Sequence, residues 1–228
     1  MSMAILVDGG YYRKRVASVY GVETPRETAD RLYNYCFRHL KEKIDGKDVR
    51  NDLYRIFYYD CPPIDKIVYH PGTHKQVDFS RTDTKQWAEE FYDVLAHKRK
   101  VALRFGEINE SSIHFQLKDR SLRKVLDGKL AVSDVQETDF TLSMQQKGVD
   151  MRIGLDIASL SFKKQVNSIV LIAGDSDFVP AAKLARREGI DFVLDSLGRP
   201  IKENLSLHID GLRTCDSQFS SRPDKKVK

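Results

Sequence analysis

The chain has 228 residues, 41% hydrophobic and 31% charged, which suits one large α/β domain or a domain with a substantial insertion. No apolar run approaches the roughly 18 residues of a membrane span, and the first residues carry no secretion signal, so we expect a cytoplasmic protein with no membrane partner. The net charge of +5 favours polyanionic partners only weakly, and the three cysteines give neither a disulfide framework nor the CxxC spacing of a zinc site.

In the first half of the chain, apolar runs alternate with helical patterns. The run at 4–7 predicts a short buried strand, and Gly9 and Gly10 predict a tight turn between this strand and a helix over 11–19. The aromatic run LYRIFYY at 53–59 predicts a second strand, which ends before two prolines. Further predictions are a helix over 29–44, a long mobile excursion over 63–85, a helix over 87–95 and a half-exposed strand over 101–108.

The second half contains a clearer alternation of strands and helices. Within 111–146, IHFQL and FTLSM both alternate apolar and polar residues, which predicts extra strands or a hairpin-like insertion. From 147 onwards the pattern predicts a mostly buried helix over 149–160, a strand at 169–173, a helix over 177–188 and a strand at 190–194.

This alternation predicts the fold class. We expect an α/β protein with a mostly parallel sheet flanked by helices and joined by right-handed crossovers. Loops and extra strands within about 62–146 are expected to form an insertion beside the core. One domain is predicted over 1–214, and residues 215–228 have the composition of a flexible C-terminal tail.

Four aspartates from three distant segments lie at or just beyond apolar runs: Asp8, Asp150, Asp175 and Asp177. The carboxyl ends of parallel strands meet at one crevice, so we expect these side chains to converge. Two carboxylates about 4 Å apart repel by roughly 4 kcal/mol at an effective dielectric near 20. A Mg²⁺ or Mn²⁺ ion would remove that repulsion and supply phosphodiester chemistry. Helix capping is the alternative for each aspartate alone, since aspartate is favoured at N-caps and in first turns.

Three stretches carry the most specific patterns: VDGGYY at 7–12, KGVDMRIGLDIA at 147–158 and IVLIAGDSDFVPAAKLARREGIDF at 169–192. Their order and character resemble the NYN domain, in its LabA-like branch of the PIN-like nuclease superfamily. The resemblance covers roughly 3–212 and is weakest between 63 and 146. It implies a Rossmann-like (PIN-like) sheet and a Mg²⁺- or Mn²⁺-dependent ribonuclease, with single-stranded RNA as the expected substrate.

The resemblance also implies roles for individual residues. The catalytic, metal-binding positions of the family are matched by Asp8, Asp150, Asp175 and Asp177. Asp156 matches a further acidic position, but six residues along a helix place it on a different face from Asp150, so we expect it behind the metal ligands. From its position between Asp175 and Asp177, and not from the resemblance, Ser176 is expected near phosphate or metal-bound water, with a plain turn role as the alternative. Many relatives carry asparagine where this chain has Gly10 or Tyr11.

Residues that follow or precede the acidic motifs are candidates for substrate binding. We expect Arg13, Lys14 and Lys147 to contact phosphate groups. We also expect Tyr11 and Tyr12 to stack on unpaired bases, as aromatic residues of single-strand binders do. The alternative roles are a solvated helix face for the cations and packing of the first helix for the tyrosines.

Other functions share parts of this pattern. A phosphatase of the haloacid dehalogenase type needs a second aspartate two residues after the first, where this chain has Gly10. A Toprim-like site normally begins with glutamate, and it leaves the KGVD motif unexplained. The alternative that remains is an RNA-binding or scaffolding protein that keeps the fold without turnover, and a homodimeric state also stays open.

Overall fold

The structure is a computed structural model that describes residues 1–44 and 46–221. Its strands, in chain order, are β1 (Ser2–Asp8), β2 (Lys41–Ile44), β3 (Lys47–Arg50), β4 (Asp52–Asp60), β5 (Ile67–His70), β6 (Lys75–Asp78), β7 (Val101–Phe105), β8 (Glu107–Ile108), β9 (His114–Leu117), β10 (Phe140–Ser143), β11 (Gln146–Lys147), β12 (Ser168–Ile172), β13 (Asp191–Asp195) and β14 (Gly211–Leu212). Its α-helices are α1 (Gly9–Tyr20), α2 (Pro25–His39), α3 (Asp83–Ala96), α4 (Asp119–Leu126), α5 (Val149–Phe162), α6 (Val179–Arg187), α7 (Glu203–Ser206) and α8 (Ser217–Ser221). None of these helices is long and apolar enough to cross a membrane.

Six strands form one parallel sheet in the order β14-β13-β12-β1-β4-β7. The chain builds one half of this sheet outward from β1 through β4 to β7, and then returns to build the other half from β12. The strand order therefore switches direction between β1 and β12. In open α/β sheets, ligands bind beyond the carboxyl ends of the strands at such a switch point. The prediction of an α/β fold with a parallel sheet flanked by helices is confirmed.

Helices cover both faces of the sheet, which explains the continuous apolar runs of its central strands. Along β1, Met3, Ile5 and Val7 belong to the core that contains α1, α2 and α3. Ala4 and Leu6 belong to the core on the opposite face, which contains α5 and α6. All five side chains are buried, as is every residue of β12. Burial on both faces fixes the ends of β1 and β12 in space.

The insertion consists of small antiparallel strand pairs. β5 pairs with β6, and β9 pairs with β10, which confirms that the IHFQL and FTLSM segments form extra strands. The buried His70 ring joins the two pairs, with its centroid 4.3 Å from that of Phe115 and 5.0 Å from that of Phe140. A third pair, β8 with β11, brings the end of the insertion back beside β7. The prediction of a long mobile excursion over 63–85 is wrong, because this range contains β5, β6 and the start of α3.

The C-terminal segment packs further than the sequence predicts. Residues 217–221 form α8, and Phe219 in that helix is buried with 2% of its surface exposed. Its ring meets the edges of Tyr20 and Tyr35, at centroid distances of 5.7 and 5.4 Å. The flexible tail predicted from 215 therefore starts too early, because an aromatic side chain in this polar segment is buried. Residues 222–228 lie outside the described residues.

The helix predicted over 177–188 begins two residues later than expected. Asp175 caps a 3-10 turn over Ser176–Phe178, and α6 follows from Val179. Pro180 lies at the start of α6, where its missing N–H and fixed φ are compatible with a first helical turn. The GDSDF motif is thus a turn between a strand and a helix rather than the beginning of the helix itself.

Asp195 forms a buried polar hub between the sheet and α2. It ends β13, and none of its surface is exposed. Its carboxylate accepts hydrogen bonds from the Tyr35 hydroxyl, from the Leu197 N–H at 2.8 Å and from Thr214 Oγ1 at 2.9 Å. His39 Nε2 lies 3.0 Å from the same carboxylate. One buried carboxyl group therefore joins α2, the end of β13 and the segment after β14.

The contact between His39 and Asp195 predicts a pH dependence of stability. Burial alone lowers the pKa of His39, but the hydrogen bond with Asp195 and the nearby Cys215 thiol outweigh it and raise the pKa to about 8. The ordinary value is about 6.5, so this contribution is fully present below pH 6.5 and is lost as the pH rises through 8. We expect the free energy of unfolding to fall by about 2 kcal/mol across that window. Urea unfolding on both sides of the window measures it, and an equal fall in the His39→Gln control contradicts the assignment.

Candidate active site

A pocket of about 580 Å³ opens beyond the carboxyl ends of β1 and β12, at the switch point of the sheet. We call it the acidic pocket, because Asp8, Asp150 and Asp175 line it. Asp177, the fourth predicted aspartate, is not among its lining residues, although its charge acts on Asp150. Segments that are far apart in sequence thus contribute carboxylates to one pocket.

Asp8 ends β1 and also caps the helix that follows. Its Oδ1 accepts a hydrogen bond from the Tyr11 N–H at 3.0 Å, which makes it the N-cap of α1. Burial raises the pKa of Asp8 to about 6; the cap hydrogen bond opposes this shift, and the charges of Asp150 and Asp60 add to it. Asp8 therefore has a structural role in α1 and is at the same time a carboxylate whose charge is poorly compensated.

The other acidic residues come from α5 and from the loop after β12. Asp150 lies in the first turn of α5, and burial, followed by the charges of Asp175 and Asp177, raises its pKa. Asp175 caps the 3-10 turn by accepting a hydrogen bond from the Asp177 N–H at 3.1 Å. Carboxylates of different segments thus act on one another electrostatically, which is the repulsion expected when the carboxyl ends of the strands converge.

Two glycines shape the backbone around these carboxylates. A Cβ on Gly174 would lie 2.4 Å from the Tyr11 ring, so glycine is needed for the close approach of the loop after β12 to α1. The Tyr11 hydroxyl donates a hydrogen bond to the Ser196 carbonyl, which fixes the ring on the pocket wall. Gly148 has a φ of 81°, in the left-handed region that favours glycine, and turns the chain from β11 into α5.

Of the predicted substrate contacts, Tyr11 and Lys14 line the acidic pocket, and so does Ser176. Tyr12 is fully buried in the core beneath α1, so the prediction that it stacks on a base is wrong. Its neighbour reaches the pocket because consecutive residues of an α-helix point about 100° apart. The packing role that the sequence left open for one tyrosine therefore falls to Tyr12.

Arg13 and Lys147 are not among the residues that line the acidic pocket. Arg13 forms an ion pair with Asp60 at 2.7 Å, and 28% of its side chain is exposed. Its guanidinium is therefore directed to a carboxylate of β4, which corrects the prediction that it contacts phosphate. Lys147 is exposed on β11, between Gln146 and Gly148, and both of these neighbours line the pocket.

Asp156 also lies outside the lining of the acidic pocket. It accepts a hydrogen bond from the Tyr59 hydroxyl at 2.7 Å and pairs with Arg104 at 3.3 Å. Tyr59 is the residue of β4 that pairs with Asp8 in the sheet. Asp156 therefore holds a neighbour of the site in place from the face covered by α5.

Two further residues lie near the pocket. Lys202 lines the pocket, and its Nζ donates a hydrogen bond to Ser176 Oγ at 3.0 Å. Asp60 is buried at the end of β4, and its charge raises the pKa of Asp8. In the sequence, Asp60 is marked by its position at the end of a predicted strand. Nothing in the sequence distinguishes Lys202 from other exposed lysines.

The donors of the acidic pocket fit a hard divalent cation. Mg²⁺ prefers oxygen ligands and is usually bound through one or two carboxylates together with waters and substrate phosphates. Burial is the main cause of the raised pKa of Asp8, with a smaller contribution from the charges of Asp150 and Asp60, and a bound cation would stabilise the ionised carboxylate against both. Within residues 1–44 and 46–221, no three acidic, histidine or cysteine side chains are close enough to enclose one ion. A cation here would therefore depend on few carboxylates and on water or phosphate oxygens.

Comparison with protein families supplies the identification. The profile of the NYN domain matches residues 4–203, which include all four predicted aspartates. The chain belongs to the NYN domain family. NYN domains are PIN-like nucleases, and the central parallel sheet with helices on both faces is consistent with that class. Membership supports a nuclease-related role for the protein.

Other comparisons add little to this assignment. No curated protein matches the chain at a significant level. Among solved structures, this NYN domain chain is similar to the crystal structure of a protein of unknown function from Vibrio parahaemolyticus. The two share 14% sequence identity with a TM-score of 0.46, over 96% of this chain and 94% of that one.

Proposed function

We propose that this NYN domain protein is a metal-dependent ribonuclease that hydrolyses phosphodiester bonds of single-stranded RNA at the acidic pocket. One observation carries the proposal: Asp8, Asp150 and Asp175 line a single pocket at the switch point of the sheet in a member of the PIN-like nucleases. We also assign the chain to the LabA-like branch of the family, on its VDGGYY, KGVD and GDSDF motifs.

The aspartates would hold the cation in this proposal. A bound Mg²⁺ or Mn²⁺ supplies a water of lowered pKa and neutralises charge on the scissile phosphate. Asp8, Asp150 and Asp175 offer carboxylate oxygens from the pocket lining, and Asp177 adds negative charge close to Asp150. With a pKa of about 6, Asp8 is mostly ionised at neutral pH and is then able to bind a cation.

The neutral and basic residues of the pocket would orient the RNA backbone. Lys14 and Lys202 place ammonium groups at the acidic pocket, where they attract phosphate oxygens. Ser176 Oγ accepts its hydrogen bond from Lys202, so the hydroxyl hydrogen remains able to donate to a phosphate oxygen. Tyr11 supplies an aromatic wall that is held by its hydrogen bond to Ser196.

The second candidate function is RNA binding without turnover, as in a scaffolding protein. It is favoured by the absence of a closed group of three metal ligands in the described part of the chain. The two functions differ in what a divalent cation does. A nuclease needs the cation for cleavage, whereas a binding protein holds RNA in its presence and leaves it intact.

A titration with Mg²⁺ and Mn²⁺ separates these functions. End-labelled single-stranded RNA is incubated with the purified protein in each metal and in EDTA, and products are resolved on a denaturing gel. The proposal expects cleavage that rises with metal concentration and stops in EDTA. Tight binding with no cleavage in either metal supports the scaffolding function instead.

Lys14 should contribute to RNA affinity through a phosphate contact. For a single strand, the logarithm of the binding constant falls with the logarithm of salt concentration by roughly 0.7 for each phosphate contact. We expect Lys14→Ala to weaken binding and to reduce that slope by about 0.7. Lys75→Ala, which removes an exposed lysine of β6, is the matched control. Fluorescence anisotropy at several salt concentrations measures the affinity and its salt dependence. Equal slopes for the two variants contradict a phosphate contact by Lys14.

A further inference from the structure

A second cavity, of about 260 Å³, lies beside the acidic pocket. We call it the side cavity. Gln146 lines both cavities, so they meet at the start of β11. On α1, Lys14 lines the acidic pocket while the preceding residue, Arg13, lines the side cavity. The two cavities are therefore adjacent.

The walls of the side cavity are mostly apolar. They include the ring of Tyr92 from α3, the ring of Phe79 and the prolines that follow β4. The Tyr92 hydroxyl donates a hydrogen bond to the Cys61 carbonyl at 3.1 Å, and its ring, which packs edge-on against Phe105, has only 8% of the residue surface exposed. Lys85 also lines the cavity, but its ammonium group is paired with Asp65 at 3.1 Å. This lining favours an uncharged aromatic ligand.

A small number of polar groups at the side cavity remain to be satisfied. Arg13 uses a terminal nitrogen for its ion pair with Asp60. Its Nε is buried and has no hydrogen-bond partner among the residues that the structure describes. A buried donor without an acceptor is unfavourable, and a ligand oxygen or ring nitrogen would accept from it once a shift of the Arg13 side chain exposes this nitrogen. Thr84 and Gln146 are further polar residues of the lining.

We propose that the side cavity receives one unpaired nucleobase of the bound RNA and thereby gives the enzyme a base preference. This inference rests on the proposed function. Ligand pockets for drug-sized molecules measure about 300–1,000 Å³, so about 260 Å³ suits one smaller, flat ring system. Unpaired bases are recognised by stacking on aromatic side chains and by hydrogen bonds to their edges, and the side cavity offers both. Its walls belong largely to the insertion, which therefore contributes to specificity.

Free nucleosides test the side cavity without any need for cleavage. Saturation-transfer NMR is recorded in EDTA for adenosine, guanosine, cytidine and uridine with the wild type, Thr84→Trp and Thr141→Trp. Thr84→Trp fills the cavity from the exposed start of α3; Thr141→Trp makes the same change on an exposed position of β10 outside the cavity. Base protons of at least one nucleoside should be saturated with the wild type and the control and lose that signal with Thr84→Trp. The absence of any signal, or equal signals with all three proteins, overturns the proposal.

RNA with a single abasic site tests the same cavity on a polymer. Loss of one stacked base should weaken wild-type binding about tenfold, and Thr84→Trp should bind intact and abasic RNA equally well. If Thr84→Trp does not fold, Met144→Trp fills the cavity from its exposed side. If the filled variant cleaves RNA in a metal-dependent way and keeps its base discrimination, the base-binding role of the side cavity is refuted and the ribonuclease proposal is not. If filling the cavity abolishes nucleoside binding but the wild type cleaves no RNA, the ribonuclease proposal is refuted and the base-binding role of the side cavity stands.

Discussion

The Asp175→Asn variant should lose metal-dependent RNA cleavage by about a hundredfold or more. Replacing even an outer partner of a metal ligand typically costs 10- to 100-fold, and this change removes a proposed ligand itself. Asparagine is as good an N-cap as aspartate, so the hydrogen bond that Asp175 accepts from the Asp177 N–H can persist. The loss should therefore appear in activity and not in folding. Initial cleavage rates in Mn²⁺, with thermal unfolding measured in parallel, give both quantities.

Asp134→Asn is the matched control for this variant. It makes the same chemical change at an exposed aspartate of the insertion, in a 3-10 turn away from the acidic pocket. Its cleavage rate should equal that of the wild type. Full activity of Asp175→Asn would remove this residue from the catalytic site, and an equal loss in both variants would point to a general effect of charge.

The second large effect concerns stability and comes from Asp195. The Asp195→Ala variant should lose about 3–5 kcal/mol of unfolding free energy, because it leaves His39 and other buried donors without their acceptor. That is a large share of the 5–15 kcal/mol by which typical domains are stable. Urea unfolding below pH 6.5, where His39 is protonated, measures the loss. Asp134→Ala, at an exposed position, should stay within about 0.5 kcal/mol of the wild type. A loss of similar size in the two variants contradicts the role of the hub.

The Asp195 hub also reaches the acidic pocket through the chain. The residue after Asp195 is Ser196, whose carbonyl accepts the hydrogen bond from Tyr11. Arg15, also on α1, donates a hydrogen bond to the Leu197 carbonyl at 3.0 Å. The loop after β13 is therefore held both by the buried hub and by α1. Stability of this loop and the position of Tyr11 on the pocket wall are coupled for that reason.

The sheet and most of the acidic pocket could be predicted from the sequence because they depend on local patterns. Continuous apolar runs indicate strands buried on both faces, and the end of such a run identifies the carboxyl edge. Asp8 ends β1, and Asp175 lies in the loop that follows β12. The position of Asp150 follows only if α5 begins at the same carboxyl edge of the sheet. In each case the relevant information lies within a few residues of the aspartate.

The burial of Tyr12 follows from a helical period that is visible in the sequence. It is spaced four and seven residues before Val16 and Val19, which is the period of a buried helix face. Tyr11 is only partly buried against this core and also lines the acidic pocket. The helical period therefore separates the two tyrosines, whereas their common closeness to Asp8 in sequence does not.

The pairing of Arg13 with Asp60 could not be predicted in this way. The two residues are 47 positions apart, and they meet only because β4 lies next to β1 in the sheet. The same limit applies to Lys202, which reaches the acidic pocket from the loop after β13. The side cavity depends on how the insertion folds back on the core, and that packing does not follow from residue patterns alone.

The central claim is that a divalent cation binds in the acidic pocket through aspartates of different segments. Crystals soaked in Mn²⁺, with diffraction recorded near the manganese absorption edge, test it most directly. The account predicts an anomalous peak in this pocket, at about 2 Å from carboxylate oxygens of Asp8 and of Asp150 or Asp175. No peak there at saturating Mn²⁺, both with and without a bound RNA analogue, would contradict it.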